Sequence, residues 1–369
     1  MSHHKLRIGI LFGGRSGEHE VSVRSARSVI TAFDPARYDV ALIGIDKRGH
    51  WLLGEQSLLL LEAAAGSGTT ELVTQAAPAG LVPQDESLRH LDVVFPVLHG
   101  PLGEDGTVQG LLELADLPYV GCGVMASAVA MDKAASKAVF AAAALPQVPY
   151  HVLKRMRWQA DPAGVLDEIE QHLMYPVFVK PANMGSSVGV SKAKDRAGLA
   201  LALDEASRYD RKIIVEQGID AREIEVSVLG NDDPIASLPG EIVPCREFYD
   251  YAAKYVEPDS ELLIPAPLTA EQTSAVQQLA IRAFLAVDGA GMARVDFLLD
   301  RQTGELYLNE VNTIPGFTSI SMYPKLWEAS GLPFSGLIDR LVELALERHE
   351  DKSRSETSYR QEAQVPEDD

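Results

Sequence analysis

Cysteine is scarce. Cys122 and Cys245 are the only two in 369 residues, and their spacing suits neither a disulfide framework nor a thiolate metal cluster. A reducing compartment, the cytoplasm, is the expected location. No apolar run reaches the roughly 20 residues that span a bilayer. The opening Met1-Ser2-His3-His4-Lys5 also lacks the apolar stretch of a signal peptide, so no membrane partner is expected. Positive charge is short as well, with 33 Lys and Arg against 53 Asp and Glu and a net charge of −20. That balance disfavours non-specific binding to nucleic acid or anionic lipid. Any phosphate site has to be assembled from a few local cations and backbone N–H groups. Gly-Lys-Ser/Thr occurs nowhere, so there is no Walker loop. Arg15 stands where a dinucleotide fingerprint needs glycine. No internal repeat is visible. What remains is an ordinary globular composition, 46% hydrophobic and 23% charged, at a length that predicts two or three domains.

The apolar run Leu6–Phe12 passes through Gly13-Gly14-Arg15-Ser16-Gly17-Glu18 into Val21–Phe33, which has helical spacing. Strand, turn and helix in that order open a doubly wound parallel sheet, with ligands at the strand's C-terminal end. A functional turn would set Glu18 at a small-molecule site, where a carboxylate suits an ammonium group; the alternative is a plain βα turn. Tyr38–Ile45 and the nearly all-apolar Asp92–Leu98 predict two further strands. The second ends at His99-Gly100, ahead of Gly103-Glu104-Asp105-Gly106. A lone histidine is more often structural, but His99 shares the sheet end with Glu18. Leu52–Leu91 carries little signal and predicts a peripheral helix and loops. Pro118–Gly123 predicts a short strand and turn. Val124–Ala144 predicts one long Ala-rich helix that carries Lys133 and Lys137.

Pro176–Pro181 predicts a strand ending at Lys180. The Gly/Ser loop Ala182–Val190, with Ser186 and Ser187, then joins two β-like runs. Its N–H groups could close on phosphates; the alternative is an ordinary hairpin loop. Lys212–Val215 is an apolar strand ending at Glu216, and Glu223–Leu229 alternates. Arg246–Glu257, aromatic and charged, predicts a long functional loop. Thr269–Val287 and Leu332–His349 have helical patterns. Glu350–Asp369 is charged without a core pattern and predicts a disordered tail.

Ala293–Asp300 and Glu305–Asn312 alternate with period two on either side of a polar turn, which predicts a β-hairpin. If Asp300 faces Leu306 across five residues, Leu298 faces Leu308, Asp296 faces Glu310 and Arg294 faces Asn312. Leu298, Leu306 and Leu308 would then share a face with the charged cluster. A slip of one residue would bring Asn309 opposite Asp296 and break the cluster up. Two carboxylates and an amide are hard oxygen donors that suit Mg2+ held against nucleotide phosphates. The alternative is a hairpin with one solvated face.

Jointly these stretches resemble the D-alanine–D-alanine ligases of the ATP-grasp superfamily. The resemblance rests on Gly13–Ser22, His99-Gly100 with Gly103–Thr107, Gly123–Ser127 with Met131-Asp132-Lys133, and Lys180-Pro181 with Gly185–Gly189. Phe248–Tyr255 and Asn309–Thr313 with Pro315-Gly316 complete it, in family order over about residues 5–346. It implies an α/β fold of three domains. These are an N-terminal Rossmann-like domain (1–122, doubly wound parallel sheet), a central α+β ATP-grasp domain (123–215) and a C-terminal α+β domain (216–349), followed by a tail (350–369). It implies ligation of two D-alanines, with ATP and two Mg2+ or Mn2+ ions per site, in a homodimer. Lys133, Lys180, Ser186 and Ser187 would meet phosphates; Glu216, Ile219 and Glu223 would line the adenosine pocket. Asp296, Glu310 and Asn312 would bind the metals. Arg294 and the Gly316 N–H would stabilise the oxyanion. Glu18, His99, Ser321 and Met322 would line the substrate site, with Lys254 assisting. Glu18, Ser186 and Tyr255 would lock the loop shut. The Phe248–Tyr255 pattern implies a dipeptide product rather than the D-lactate ester. Gln217 and Gly218 depart from the long or aromatic side chains common at the adenine pocket. Other readings are an ATP-grasp ligase of L-amino acids and a non-catalytic nucleotide-binding regulator.

Overall fold

The computed structural model describes residues 5–63, 90–243 and 261–356. The expected loop 246–257, with Lys254 and Tyr255, lies outside the described residues, and so do Cys245 and residues 357–369. The fold is α/β and built on three sheets.

β1 (Leu6–Gly13), β2 (Tyr38–Ile45), β3 (Trp51–Leu53) and β4 (Val93–Pro96) form the first sheet, in the order β3-β2-β1-β4. β1 pairs in parallel with β2 and β4, and its apolar run is buried along most of its length, as a central parallel strand should be. β3 runs antiparallel along the edge. At three residues it is too short to show a period, and it falls in a stretch expected to be only helix and loops. The strand expected at Pro118–Gly123 is reduced to one bridge, Tyr119 to Val94.

β5 (Tyr150–Lys154), β6 (Val177–Pro181), β7 (Ser191–Ala193) and β8 (Lys212–Gln217) form an antiparallel second sheet, β5-β8-β6-β7. β8 runs two residues past the boundary expected at 215, because Glu216 pairs with Tyr150 and Gln217 with Val177. The third sheet contains β9 (Ala221–Gly230), β10 (Ile235–Ala236), β11 (Gly240–Val243), β12 (Glu261–Leu263), β13 (Gly291–Asp300) and β14 (Leu306–Asn312). Its order is β12-β11-β9-β13-β14, with β10 on β9.

The helix expected over Val124–Ala144 is two helices, Val124–Met131 and Lys133–Ala142. Asp132 breaks it by adopting extended backbone and accepting from the N–H groups of Ala134 and Ala135. An Asp N-cap of this kind competes with helix continuation. Helix Ala270–Ala286 starts at a capping box of Thr269 and Gln272. The last helix, Phe334–Ser353, continues past His349, where the tail was expected to begin. Contacts distant in sequence extend it: His349 meets Asp116 at 3.1 Å, and Lys352 pairs with Glu113.

That helix packs on the first sheet. Leu337 and Leu341 share one core with Ile10 and Phe95, and Tyr38 donates to Asp339 at 2.8 Å. The second sheet has its own core around Val179, Leu199 and Ile213. The ends of the three sheets converge on one cavity.

Candidate active site

The cavity has a volume of about 690 Å3. Of the expected site residues that are described, all but Ser321 and Met322 line it.

On β13 and β14, Asp296 pairs with Glu310 and Arg294 with Asn312, in the expected register. Nearer the turn the register shifts by one, at a β-bulge that leaves Asn309 without an opposed residue. Phe297 then faces Leu308 and Leu299 faces Leu306. This corrects the expected face. Leu308 packs with Val295 and Val311 in the core, Leu306 lies against the same core, and only Leu298 remains on the cavity side.

Arg294 holds Asp296 with two bonds of 2.7 Å and lies 3.1 Å from Glu225. Burial alone would weaken its charge. Asp296 and Glu225 outweigh burial and keep its pKa well above the ordinary value. Asn312 donates its amide N–H to Asp296 at 2.9 Å, which leaves the amide oxygen to serve as a donor atom. Lys133 sits 3.6 Å from Glu310. Among the described residues no cluster of three His, Cys, Asp or Glu could hold a metal unaided. Two carboxylates and one amide oxygen on one cavity wall do fit a hard divalent ion whose remaining ligands come from phosphate and water.

Lys180, the penultimate residue of β6, also lines the cavity, with its ammonium 2.5 Å from Glu216. Burial alone would raise the Glu216 carboxyl, but Lys180 and Lys137 override it and hold it at about 2. The sign follows from that depression. This carboxylate stabilises the fold above its ordinary pKa of 4.5, and the contribution is lost as pH falls through about 2. Lys133 also donates to the Met184 carbonyl at 2.9 Å, which ties this cation to the Gly/Ser loop. Gln217 is pinned to Met174 by two bonds of 2.8 Å. A Cβ on Gly218 would lie 2.6 Å from the Pro176 carbonyl oxygen, so glycine is needed there. The unusual Gln-Gly pair at this position therefore staples the strand end.

The Gly/Ser loop reaches across the cavity, where the Ser186 hydroxyl donates to the Glu18 carboxylate. Ser186 and Ser187 both have positive φ, 49° and 57°. Left-handed backbone costs about 1–2 kcal/mol per non-glycine residue. Glu18 is buried where Cβ atoms on Gly100 and Gly185 would come within 2.9 and 2.8 Å of its Oε2. Gly100 also has positive φ, 76°, so glycine is favoured there by the backbone as well as by the close approach of Glu18.

His99 is buried, and burial pushes its pKa down. Its Nδ1–H donates to the Ile314 carbonyl at 3.0 Å. Nε2 lies 3.3 Å from the Ser25 hydroxyl, which accepts the Phe317 N–H at 3.2 Å. The pair brackets the segment that contains Gly316. The Ser321 hydroxyl bonds Thr318 at 2.7 Å and is the nearest neighbour a Cβ on Gly316 would meet. The structure does not bring Met322 to the cavity: it packs with Ile242 and Leu326.

Four polar residues at or behind the site were given no role from the sequence, although two of them, Glu104 and Lys137, lie in motifs it singled out. Glu104 lines the cavity and accepts the Gly100 N–H at 2.6 Å; burial and nearby Glu18 push its pKa up to about 8. Ser25, Glu225 and Lys137 are buried polar groups. A polar residue on an apolar helix face or strand run was the available signal for Lys137 and Glu225.

Comparison with known proteins identifies the family. The family models for the D-ala D-ala ligase N-terminus and C-terminus match residues 7–122 and 139–343. A D-alanine–D-alanine ligase of Heliobacterium modesticaldum is 57% identical over 96% of this chain and 98% of its own length. The solved D-alanine-D-alanine ligase of Coxiella burnetii has a TM-score of 0.80 and 40% identity, covering 95% of this chain and 96% of its own. The VanG D-Ala:D-Ser ligase of Enterococcus faecalis has a TM-score of 0.79 and 35% identity, covering 93% and 100%. With both family models matched in order and near-complete overlap with its relatives, the chain belongs to the D-alanine–D-alanine ligase family.

Proposed function

We propose that this enzyme joins two D-alanines in the cytoplasm, with ATP as the driving reactant, to give D-alanyl-D-alanine for peptidoglycan precursors. One D-alanine carboxylate takes the γ-phosphoryl group to form D-alanyl phosphate. The amine of the second D-alanine attacks its carbonyl carbon and phosphate leaves. The observation that carries this reading is the Asp296–Glu310 and Arg294–Asn312 pairing, which lines one cavity with Lys133, Lys180 and Glu18.

Glu18 holds the ammonium group of the first D-alanine. Lys133 and Lys180 neutralise phosphate oxygens, with Ser186 and Ser187 closing above them. Glu216, Ile219 and Glu223 border the adenosine. Asp296, Glu310 and Asn312 hold two Mg2+ or Mn2+ ions, which supply charge neutralisation at the transferring phosphoryl group. Arg294 and the Gly316 N–H stabilise the oxyanion when the amine attacks. Ser321 receives the second carboxylate, with Lys254. Both His99 ring nitrogens are already engaged by the protein, which favours a positioning role for His99 through the 314–317 segment.

The test is product analysis with ATP, Mg2+ and D-alanine, alone and with D-lactate, D-serine or L-alanine in competition. D-alanyl-D-alanine is the expected main product at neutral pH. The D-lactate ester or an L-alanine dipeptide as main product overturns the reading. The same proposal includes a homodimer, checked by sedimentation of that preparation.

Ser186→Ala removes the hydroxyl that ties the loop to Glu18. A lid that opens early exposes acyl phosphate to water. The expected result is a kcat lowered about tenfold or more, with more phosphate released than dipeptide formed. One phosphate per dipeptide at native rate would rule out the closing role.

A further inference from the structure

Lys137 has no part in the reaction outlined above, yet its side chain is only 2% exposed. A buried ammonium is costly unless an opposite charge meets it. Its partner is Glu216: Lys137 Nζ lies 2.9 Å from one carboxylate oxygen, and Lys180 Nζ lies 2.5 Å from the other. Lys137 sits one turn beyond Lys133 on helix Lys133–Ala142, with its Nζ 5.3 Å from the Tyr150 ring centre. The two lysines differ in where they lead. Lys180 reaches the cavity, whereas Lys137 stays behind the wall. One buried carboxylate therefore has two cations, and only one of them can reach a phosphate. If Glu216 had Lys180 alone, phosphate binding would either compete with Glu216 for that ammonium or strand the carboxylate in the interior.

We propose that Lys137 is a positioning residue that keeps Glu216 paired when Lys180 turns to the nucleotide phosphates, so that the phosphate cation is released without stranding a buried charge. This rests on the reading of Lys180 as a phosphate ligand. Lys137 touches neither nucleotide nor amino acid. Within the reaction its effect falls on nucleotide affinity and on the protons that accompany binding.

The experiment measures ADP binding by calorimetry, near pH 6 and near pH 8.5, in buffers of different ionisation enthalpy. Losing one partner of a buried pair is severe, so Lys137→Met should weaken ADP binding about 30-fold relative to the native enzyme near pH 8.5. Near pH 6 the loss should shrink to about fivefold, because the stranded Glu216 takes up a proton. Near pH 6 the buffer comparison should show up to about one more proton bound per ADP than in the native enzyme. Lys137→Arg should stay within about threefold of native at both pH values. Equal loss at both pH values without proton uptake would mark a merely structural residue and overturn the proposal, and so would native affinity. If Lys137→Met does not fold, the Glu216→Gln background replaces it. There the carboxylate is gone, and adding Lys137→Met should change ADP affinity less than about threefold; a larger change overturns the proposal. Lys180→Met is the control: native ADP affinity in that variant would refute Lys180 as a phosphate ligand, a failure distinct from that of Lys137.

Discussion

Asp296→Asn and Glu310→Gln each lower kcat by about 10³-fold or more while the fold stays intact. A catalytic metal supplies several kcal/mol of charge stabilisation, and each 1.36 kcal/mol is a factor of ten. Losing most of that stabilisation gives about three orders of magnitude. Both substitutions keep side-chain shape and remove one charge. Neither residue belongs to the apolar core, whose nearest members are Val295 and Val311, so circular dichroism should change little; Asp296→Asn, which removes a charge partner of buried Arg294, should lower the melting temperature more than Glu310→Gln does. The check is kcat at saturating ATP and D-alanine over a titration of Mg2+ and Mn2+. Half-saturation should move to higher metal concentration in both variants. Asp296 also anchors Arg294 through two bonds, so a kcat loss without any change in metal dependence would mean the aspartate acts through Arg294. Near-native turnover in both variants would remove the metal assignment altogether.

Arg294→Met has the second large effect, and it falls on stability as well as rate. Loss of one oxyanion donor costs about 10²- to 10³-fold in kcat. The guanidinium also neutralises Asp296 and Glu225, both of which are largely buried. Removing one member of such a set leaves carboxylates unpaired, with a penalty of about 3 kcal/mol. In the variant the buried carboxylates repel one another and lack their cation, so protonating one of them relieves the penalty. The penalty is then present at neutral pH and is relieved as pH falls. The melting temperature of the variant should therefore approach the native one as pH falls from neutral into the acid range. Mg2+ should also raise it at neutral pH, since the ion replaces part of the missing charge. If the variant tracks the native melting curve at every pH, Arg294 does not hold these carboxylates together.

The hairpin illustrates what one sequence can and cannot disclose. Period-two alternation disclosed the hairpin, but the turn pairing it assumed was one residue off: Leu299, not Asp300, faces Leu306, and the bulge restores Asp296 opposite Glu310 and Arg294 opposite Asn312, the register that the family resemblance favoured. Alternation could not disclose the bulge at Asn309. Its signature is a one-residue change of phase, and Leu306 and Leu308 suit either face. The first sheet was legible for a related reason: its parallel strands are continuous apolar runs ending in glycine turns. β3 was not legible, because three residues on an edge are selected by the strand they join. The helix break at Asp132 was present in the sequence as a capping residue, but an Ala-rich stretch on both sides masked it.

The amino-acid order by itself determined the chemistry available: which oxygen donors lie two residues apart on a strand, which lysines end strands and start helices, and where glycine lets the backbone turn. These follow from local periodicity and from backbone limits that each residue carries with it. Only the tertiary structure decided which buried charges answer one another. Glu216 between Lys137 and Lys180, and Ser25 with His99 beneath Ile314, join groups tens to hundreds of residues apart. Electrostatic pairing depends on distance in space and on exclusion of water, and neither is encoded in spacing along the chain.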